Sequence, residues 1–305
     1  FLVSGFWFLV SGFWFLVSNY DGQTMTTKRP TRTWLPLAIG GGVFIAAFIA
    51  ESRRPLRRQR EPRVRRTARN LTMAGLTAAA MSVLQTPLLY PLAKRVEEEK
   101  LGLLHRLNLS PVARNILAVL LLDYTLWWWH WLNHRAAFLW RFHLVHHVDR
   151  DMDASTALRF HAGEMSMSVF YRMAQLRVLG VDRAAMSVWQ LMLMVSIFFH
   201  HSNLRLPASL ERRLVKVIVT PRMHGIHHSD YREETDSNWS SLLSWWDDLH
   251  GTLRLDVPDA ALTIGVPAYQ EAQDVTLPAI LLIPLRAAGE DWVSGDGTAR
   301  IRRRI

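Results

Sequence analysis

Histidines cluster in the stretch from His130 to His147, where five of them occur within eighteen residues. Residues three or four apart share one face of a helix, and imidazole is the commonest metal-binding side chain. The spacing therefore predicts a metal site assembled from helix faces. The groups are one H-x-x-x-H and two H-x-x-H-H patterns, made of His130 and His134; His143, His146 and His147; and His224, His227 and His228.

The residue types around these groups narrow the metal chemistry. The chain has 305 residues and no cysteine, which excludes disulfides, thiolate-bound zinc and cysteine-bound iron–sulfur clusters. The zinc-protease motif H-E-x-x-H is absent, because Trp131 occupies the position of its glutamate. Eight histidines exceed the four ligands of a single zinc ion, so they predict a two-metal site. Nitrogen-rich ligation suits iron, copper, nickel or zinc, and the spacing leaves that choice open.

The segments that must carry these histidines are long and apolar. Half of the residues are hydrophobic and the net charge is +10, with basic residues at the borders of the apolar runs. This pattern is typical of a membrane protein with basic cytoplasmic loops rather than of nucleic-acid binding. We therefore predict an all-α integral membrane bundle of about four apolar segments with a cytoplasmic, histidine-rich cap. The apolar segments are 34–50, 71–93, 115–132 and a hairpin made of 165–176 and 184–199.

Charge and proline positions orient the first two segments. Nine arginines lie between Arg53 and Arg69, so the loop that contains them is predicted to be cytoplasmic. A patch that binds nucleic acid or anionic lipid is the alternative interpretation. Pro87 and Pro91 are expected to bend or end the second helix near the far side of the membrane.

The later segments return the histidines to one membrane face. Segment 115–132 crosses back to the cytoplasmic side, where His130 follows the tryptophans of an interfacial belt. Asp123 lies within this segment, and it either orients a ligand histidine from outside the metal shell or pairs with a neighbouring helix. The hairpin returns His200 and His201 to the same face. All histidine groups are thus predicted to converge on the cytoplasmic surface.

The rest of the chain carries fewer signals. His105 is not expected to be a ligand, His250 is interpreted as a structural or surface histidine, and 238–252 is predicted to be an amphipathic interfacial helix that ends at Gly251. The repeated FLVSGFW at the start is interpreted as translated upstream sequence, with Met25 as the true start. The predicted regions are this segment 1–24, an apolar helix with an Arg-rich loop at 25–70, a histidine-bearing domain at 71–254 and a soluble tail at 255–305.

The three histidine groups resemble those of the fatty acid hydroxylase/sterol desaturase superfamily. The segment T-A-L-R-F-H-A-G-E is similar to the R-F-H-P-x-E motif of that family, although Ala162 replaces its proline. F-H-H-S-N, from Phe199 to Asn203, resembles the H-S-N motif. The resemblance extends over roughly Leu71 to Arg254 and ends in a pattern formed by Asn238, Trp246, Asp247, Gly251 and Thr252, with His250 where an aromatic residue is common.

This resemblance implies a membrane-embedded, non-haem di-iron oxygenase. It would use O2 and two iron ions to hydroxylate or desaturate a C–H bond of a lipid, such as a sterol or a fatty acyl chain. His161 and His201 would complete a set of ten iron ligands with the eight histidines of the three groups. His201 is preferred to His200 because it directly precedes Ser202 and Asn203.

The resemblance also implies partners. The substrate would be a membrane lipid, and electrons would come from a separate reductase, ferredoxin or cytochrome, because the sequence contains no dinucleotide fingerprint and no haem module. The Arg-rich loops either dock an acidic donor or serve as topology signals. Two alternatives remain at this point: a zinc-dependent membrane hydrolase and a non-enzymatic metal carrier or sensor.

Overall fold

The computed structural model of this chain describes residues 35–286 and 291–293. The repeat segment 1–24 and the expected start at Met25 lie outside these residues. Within the described ranges the fold is all-helical, as predicted, and β-type pairing is limited to three isolated bridges.

The helices are defined here by their bounds. They are α1 (Leu35–Arg53), α2 (Arg63–Glu98), α3 (Leu103–Arg106), α4 (Pro111–Arg135), α5 (Ala137–His147), α6 (Ala162–Gln175), α7 (Arg183–His201), α8 (Ala208–Leu214), α9 (Pro221–His227), α10 (Arg232–Thr235), α11 (Trp245–Leu249) and α12 (Leu277–Leu282). A π-helical turn at Leu176–Gly180 extends α6, and 3-10 turns occur at Thr156–Leu158, Asp259–Ala261, Pro267–Tyr269 and Ile283–Leu285.

One helix in the described ranges, α7, is long and apolar enough to cross a bilayer. The bent pair Arg63–Gln85 and Pro87–Arg106 would count as a second span if its two arms act together. The bend between the arms is 50°, and it lies at the proline for which a bend is predicted, because proline cannot donate to the preceding turn. The bundle of four membrane segments and its cytoplasmic cap stay predictions.

The apolar core packs α2, α4, α6 and α7 against one another. Leu89 of α2, Leu122 of α4, Val169 of α6 and Trp189 of α7 are all buried in it. Removal of such side chains from solvent stabilises a fold by about 1.5–3 kcal/mol for each large apolar residue. This core holds the ends of α4, α6 and α7 together, and the histidines lie at those ends.

The first two histidine groups lie on different helices, with one extended residue between the two. Helix α4 ends at Arg135, Ala136 is extended, and α5 begins at Ala137. Helix α9 begins in a different way, with Pro221 in its first turn and the Thr220 hydroxyl accepting a hydrogen bond from Met223 N at 3.4 Å. Both features favour a helix start at that position.

A buried ionic cluster lies behind α5, and we define it as Arg66, Asp149, Asp153 and Arg159. All four side chains are 0 % exposed. Arg66 pairs with Asp149 at 3.2 Å and with Asp153, and Arg159 lies 3.7 Å from Asp149. Arg159 also donates to the carbonyl of Val145 at 2.8 Å. The cluster therefore fastens α5 and the loop after it to α2.

Several arginines of the Arg-rich segment bind within the protein. Arg60 donates to the carbonyls of Arg150 and Ile264, and Arg69 pairs with Glu61 at 2.7 Å. These arginines join the segment after α1 to the loop after α5. Their charge therefore stabilises the tertiary structure and does not serve only as a topology signal or a partner surface.

The segment 238–252 is not one amphipathic helix, and the prediction of one is wrong. Helix α11 covers only Trp245–Leu249. The buried Asp247 carboxylate accepts hydrogen bonds from the backbone N–H groups of Trp239 and Ser240, each at 2.9 Å, which holds the preceding chain in an irregular path. Gly251 follows the helix with φ +65°, the left-handed conformation expected of a glycine at that position.

The described part of the tail packs on the histidine-bearing helix. Ile280 and Ile283 are buried against Val145 of α5 and against Val148, which directly follows that helix. The indole of Trp140 on α5 donates to Asp291 at 3.0 Å. The tail therefore covers one side of α5, a contact that was not predicted from the sequence.

Candidate metal centre

The structure brings nine histidines together as two adjacent clusters. Within each cluster, one ligand nitrogen per residue lies within 4.8 Å of all the others. Cluster 1 contains His130, His134, His143, His147 and His227, and cluster 2 contains His146, His201, His224 and His228.

Helical spacing explains how the two H-x-x-H-H groups are divided. On α5, His143 and His147 are four residues apart and contribute to cluster 1, whereas His146 contributes to cluster 2. The group at α9 is arranged in the opposite way, with His224 and His228 in cluster 2 and His227 in cluster 1. Each group therefore joins both clusters, so neither cluster can form without tertiary contact between α5 and α9.

Burial keeps several of these imidazoles neutral. It lowers the pKa of His227 to about 3, against an opposing effect of the Ser237 carbonyl. It also lowers the pKa values of His146, His147 and His228 well below the usual value, helped by the neighbouring histidines. A neutral imidazole has one bare nitrogen, which is the form that binds a metal ion.

Contacts outside the clusters determine which nitrogen is bare. Nδ1 of His130 faces the Trp239 carbonyl at 2.7 Å, and Nδ1 of His227 faces the Ser237 carbonyl at 2.8 Å. Nδ1 of His201 lies 2.9 Å from the carbonyl of Ile197. A carbonyl accepts only from an N–H, so in each ring the proton is on Nδ1 and Nε2 is bare. Such outer contacts orient metal-binding histidines and raise their basicity.

The bare nitrogens point at one another. Nε2 of His201 lies 3.1 Å from Nε2 of His146 and 3.0 Å from Nε2 of His224. Nδ1 of His146 faces the Arg159 carbonyl at 3.3 Å, so two lone pairs oppose each other across the first contact. Two facing lone pairs repel unless a cation lies between them. The donor set therefore fits a metal ion in each cluster.

Glu164 has a specific place beside cluster 1. Its carboxylate is buried and lies 2.9 Å from Nδ1 of His143, an arrangement that orients the ring so that Nε2 faces His147 at 3.2 Å. Sequence reasoning included Glu164 in a motif but assigned it no role. Its position three residues after His161 is the only signal for it in the sequence.

His161 lies outside both clusters. Its Nδ1 accepts a hydrogen bond from the backbone N–H of Gly163 at 3.0 Å, and the side chain thereby caps the start of α6. His200 is buried beside cluster 2, with its ring centroid 4.2 Å from that of His224, although it does not join the cluster. The structure therefore gathers nine of the ten histidines expected from sequence.

The remaining polar residues of interest have structural contacts. Asp123 accepts from the Trp246 indole at 2.6 Å and from Leu243 N at 3.1 Å, so it ties α4 to the α11 segment and contacts no cluster histidine. The His250 ring stacks on Trp127 at 4.1 Å. Both arrangements are pairings between neighbouring segments of the fold.

A cavity of about 150 Å³ adjoins the clusters. Its apolar wall includes Leu126, Phe160, Leu193 and Ile197. Histidines of both clusters border it, together with Glu164, Ser168 and Arg172 of α6. Space next to the histidine clusters is therefore mostly apolar, which suits hydrocarbon better than a polar substrate.

Comparison with known proteins places this site in a family. The model of the fatty acid hydroxylase family matches residues 115–252. The chain is similar to human alkylglycerol monooxygenase, with 28% identity over 141 residues, which is 46% of this chain and 30% of that protein. It is also similar to the ornithine lipid hydroxylase OlsE of Rhizobium tropici, with 27% identity over 50% of this chain and 45% of that protein. Human cholesterol 25-hydroxylase is 26% identical over 50% of this chain and 53% of its own length.

These matches cover about a third to a half of the length of the relatives. No solved structure matches the chain. The matched residues 115–252 include every histidine of both clusters.

Proposed function

This chain belongs to the fatty acid hydroxylase/sterol desaturase superfamily, and from that premise we propose that it is a membrane-bound, O2-dependent enzyme that hydroxylates a lipid. The names of its relatives support lipid hydroxylation at the level of the family. A sterol or a fatty acyl chain is the proposed kind of substrate, and desaturation is the alternative outcome at the same C–H bond.

One observation carries the proposal: two adjacent clusters of histidines direct ring nitrogens at one another beside an apolar cavity. We propose that each cluster holds one iron ion. When bound, the two irons would supply the O2-dependent redox chemistry that oxidises a C–H bond. The proposed ligands are His130, His134, His143, His147 and His227 for one iron, and His146, His201, His224 and His228 for the other.

The protein residues perform the positioning. Carbonyl oxygens of Trp239, Ser237 and Ile197 and the carboxylate of Glu164 hold the imidazole rings in their orientation. The apolar wall excludes water from the place where a C–H bond would lie. His161 is left out of the proposed ligand set because its Nδ1 already caps α6.

The reaction requires an external electron donor. Hydroxylation places one oxygen atom of O2 in the product and reduces the other to water, which takes two electrons and two protons. We propose a separate reductase, ferredoxin or cytochrome as donor, and a bilayer location with the histidines on the cytoplasmic side. The apolar helix α7, which ends at His201, supports the bilayer location.

The test is to purify the full chain anaerobically, measure its metals and supply 18O2 with a lipid extract and a chemical reductant. We expect about two irons per chain, one for each cluster, and 18O in a lipid product. A zinc-loaded sample of the same protein serves as the control and should be inactive. Turnover of the zinc form without O2 would instead support a zinc-dependent hydrolase, and metal binding without any turnover would support a carrier.

A further inference from the structure

The cavity beside the histidine clusters is lined by one arginine, Arg172 of α6. Glu164, Ser168 and Arg172 follow one another at intervals of four residues on α6, and all three line the cavity. Residues at this interval share one helix face. Eight residues of helix extend over about 12 Å, so Glu164 borders the cavity next to His143 and Arg172 borders it farther along α6.

Arg172 has no anionic partner among the described residues. Its guanidinium carbon lies 4.7 Å from the centroid of the Trp189 ring, and Trp189 is 0 % exposed. The neighbouring Tyr171 hydroxyl is already used, because it donates to the carbonyl of Thr125 at 2.7 Å. The arginines of the ionic cluster differ, because Arg66 and Arg159 each have a carboxylate beside them.

Arg172 is partly buried, and the cavity that it borders is largely apolar. Leu126, Met165 and Leu193 line the same cavity, and their side chains offer no hydrogen-bond acceptor. A cation in apolar surroundings loses hydration without compensation unless an anion or several acceptors approach it. A guanidinium presents donors in a fork that matches carboxylate and phosphate oxygens. The missing acceptor therefore fits an oxyanion supplied by the molecule that occupies the cavity.

The size of the cavity restricts that molecule further. A volume of about 150 Å³ is similar to that of an engineered cavity that holds one benzene molecule. An entire lipid does not fit, so only a short part of a lipid enters. The same small space is bordered by His130, His143 and His146 and by Arg172. Whatever group binds Arg172 therefore lies close to the carbon that faces the histidines.

We propose that Arg172 binds an oxyanion, a carboxylate or a phosphate, in the polar part of the lipid substrate, and that the oxidised C–H bond lies a few bonds from it. The second half of this statement rests on the proposed hydroxylase function, whereas the first does not. Arg172 would thus select polar, anionic lipids over neutral ones and select a carbon near the head group over the far end of the chain.

The test measures binding of four probes to the iron-loaded full chain in phosphatidylcholine nanodiscs, with empty nanodiscs subtracted. The probes are dodecanoate, dodecyl phosphate, neutral dodecanol and inorganic phosphate. We expect at least one of the two anionic lipids to bind about tenfold more tightly than dodecanol, since hydrogen bonds between charged groups are roughly twice as strong as neutral ones. Inorganic phosphate should not displace it. Equal binding of the anionic lipids and dodecanol, or displacement by inorganic phosphate, would overturn the assignment.

Variants identify the residue responsible. Arg172→Met keeps the apolar stem and removes the charge, so it should abolish the preference for the anionic probe, and Arg172→Lys should retain part of it. Arg177→Gln is the matched control, because Arg177 lies on the following π-helical turn and is exposed. A preference that survives in Arg172→Met, or that Met and Lys abolish equally, would refute the role of the charge. The comparison of probes on the unmodified chain decides the proposal even if Arg172→Met does not fold.

The outcome separates this inference from the proposed function. Binding preference is measured without O2, so it can be present in a protein that fails to hydroxylate any lipid. Conversely, 18O in a neutral lipid together with equal binding of dodecanoate and dodecanol would support the hydroxylase and overturn the role of Arg172. Iron content of each variant reports whether the clusters still form.

Discussion

Two buried polar regions meet along α5, and they are built on opposite principles. In the ionic cluster, the charges of Arg66 and Arg159 face those of Asp149 and Asp153. In the histidine clusters, like groups face one another, with Nε2 atoms 3.0–3.2 Å apart. The first region pairs its opposite charges within the chain. The second leaves lone pairs that only an added cation can satisfy, and this difference distinguishes a structural polar core from a metal centre.

The electrostatics of the two regions agree with this contrast. Burial raises the pKa of Asp149, but Arg66, Arg159 and Arg69 outweigh it and lower that pKa below its usual value. At His147, burial and the neighbouring histidines act in the same direction and lower the pKa. The aspartate is therefore stabilised as an ion, whereas the histidine is kept neutral and available to a metal.

Removal of a ligand should have the largest effect. In His147→Ala, cluster 1 loses a nitrogen that lies 3.2 Å from Nε2 of His143, so we expect iron to fall by at least half and turnover by more than about 100-fold. Metal analysis and 18O2 incorporation measure both, while membrane insertion should persist. His250→Phe, which changes a histidine stacked on Trp127 outside the clusters, is the control. Full iron and turnover in His147→Ala would refute its role as a ligand.

Disruption of the ionic cluster should instead reduce stability. Arg66→Met removes the cation nearest to both buried carboxylates, Asp149 and Asp153, and breaking a buried ion pair typically costs about 3–5 kcal/mol. Urea unfolding of the protein in micelles measures the loss. Arg65→Met is the matched control, since Arg65 is exposed on the same helix, and it should leave stability nearly unchanged. Similar stabilities for the two variants would show that the ionic cluster does not stabilise the fold.

An intermediate effect is expected where a carboxylate supports a histidine. In Glu164→Ala, the ring of His143 loses its contact at Nδ1, and loss of such an outer partner weakens metal binding by about 10–100-fold. Competition with a chelator measures the iron affinity, and Glu164→Gln should recover part of it because the amide oxygen still accepts. An unchanged affinity in both variants would show that Glu164 does not orient His143.

Acid should lower the stability of the metal-free protein, because the fold holds its histidines in the neutral form. The pKa of His227 is about 3 in the fold and about 6.5 in an unfolded chain, so the unfolded chain binds the additional proton between these values. The stability of the metal-free protein should therefore be fully present above pH 6.5 and decrease as the pH falls toward 3, by up to about 1.4 kcal/mol per pH unit for this residue. Urea unfolding at pH 7.5 and 5.0 measures the slope, and His227→Gln should make it shallower. A stability that rises on acidification would contradict the prediction.

The smallest effect is expected at His161. His161→Ala removes a cap at the start of α6, which should cost about 1 kcal/mol with no loss of iron. His161→Asn, which keeps a capping side chain, should retain the stability. Loss of iron in both variants would show that His161 is a ligand and would contradict the proposed set of nine histidine ligands.

Local spacing predicted which histidines could act together. The three histidine groups and, from the resemblance, His201 are predicted as ligands, and the structure brings these nine histidines together in the two clusters. His161 shares the resemblance but has a different contact, since a histidine before a helix can cap it as well as bind metal. The prediction of an interfacial helix at 238–252 is wrong, because the Asp247 carboxylate binds the backbone N–H groups of Trp239 and Ser240 and thereby holds that part of the chain in an irregular path.

The sequence by itself determined that the fold is helical and which histidines share a helix face, because both depend on interactions within a few residues of one another. Only the tertiary structure decided how each H-x-x-H-H group is divided between two clusters, that Asp123 binds Trp246 rather than a histidine, and that Arg172 borders the cavity of the histidines. These outcomes depend on contacts between segments as much as 123 residues apart. The physical reason is burial. A buried polar group needs a partner, and the sequence does not indicate which distant residue provides it.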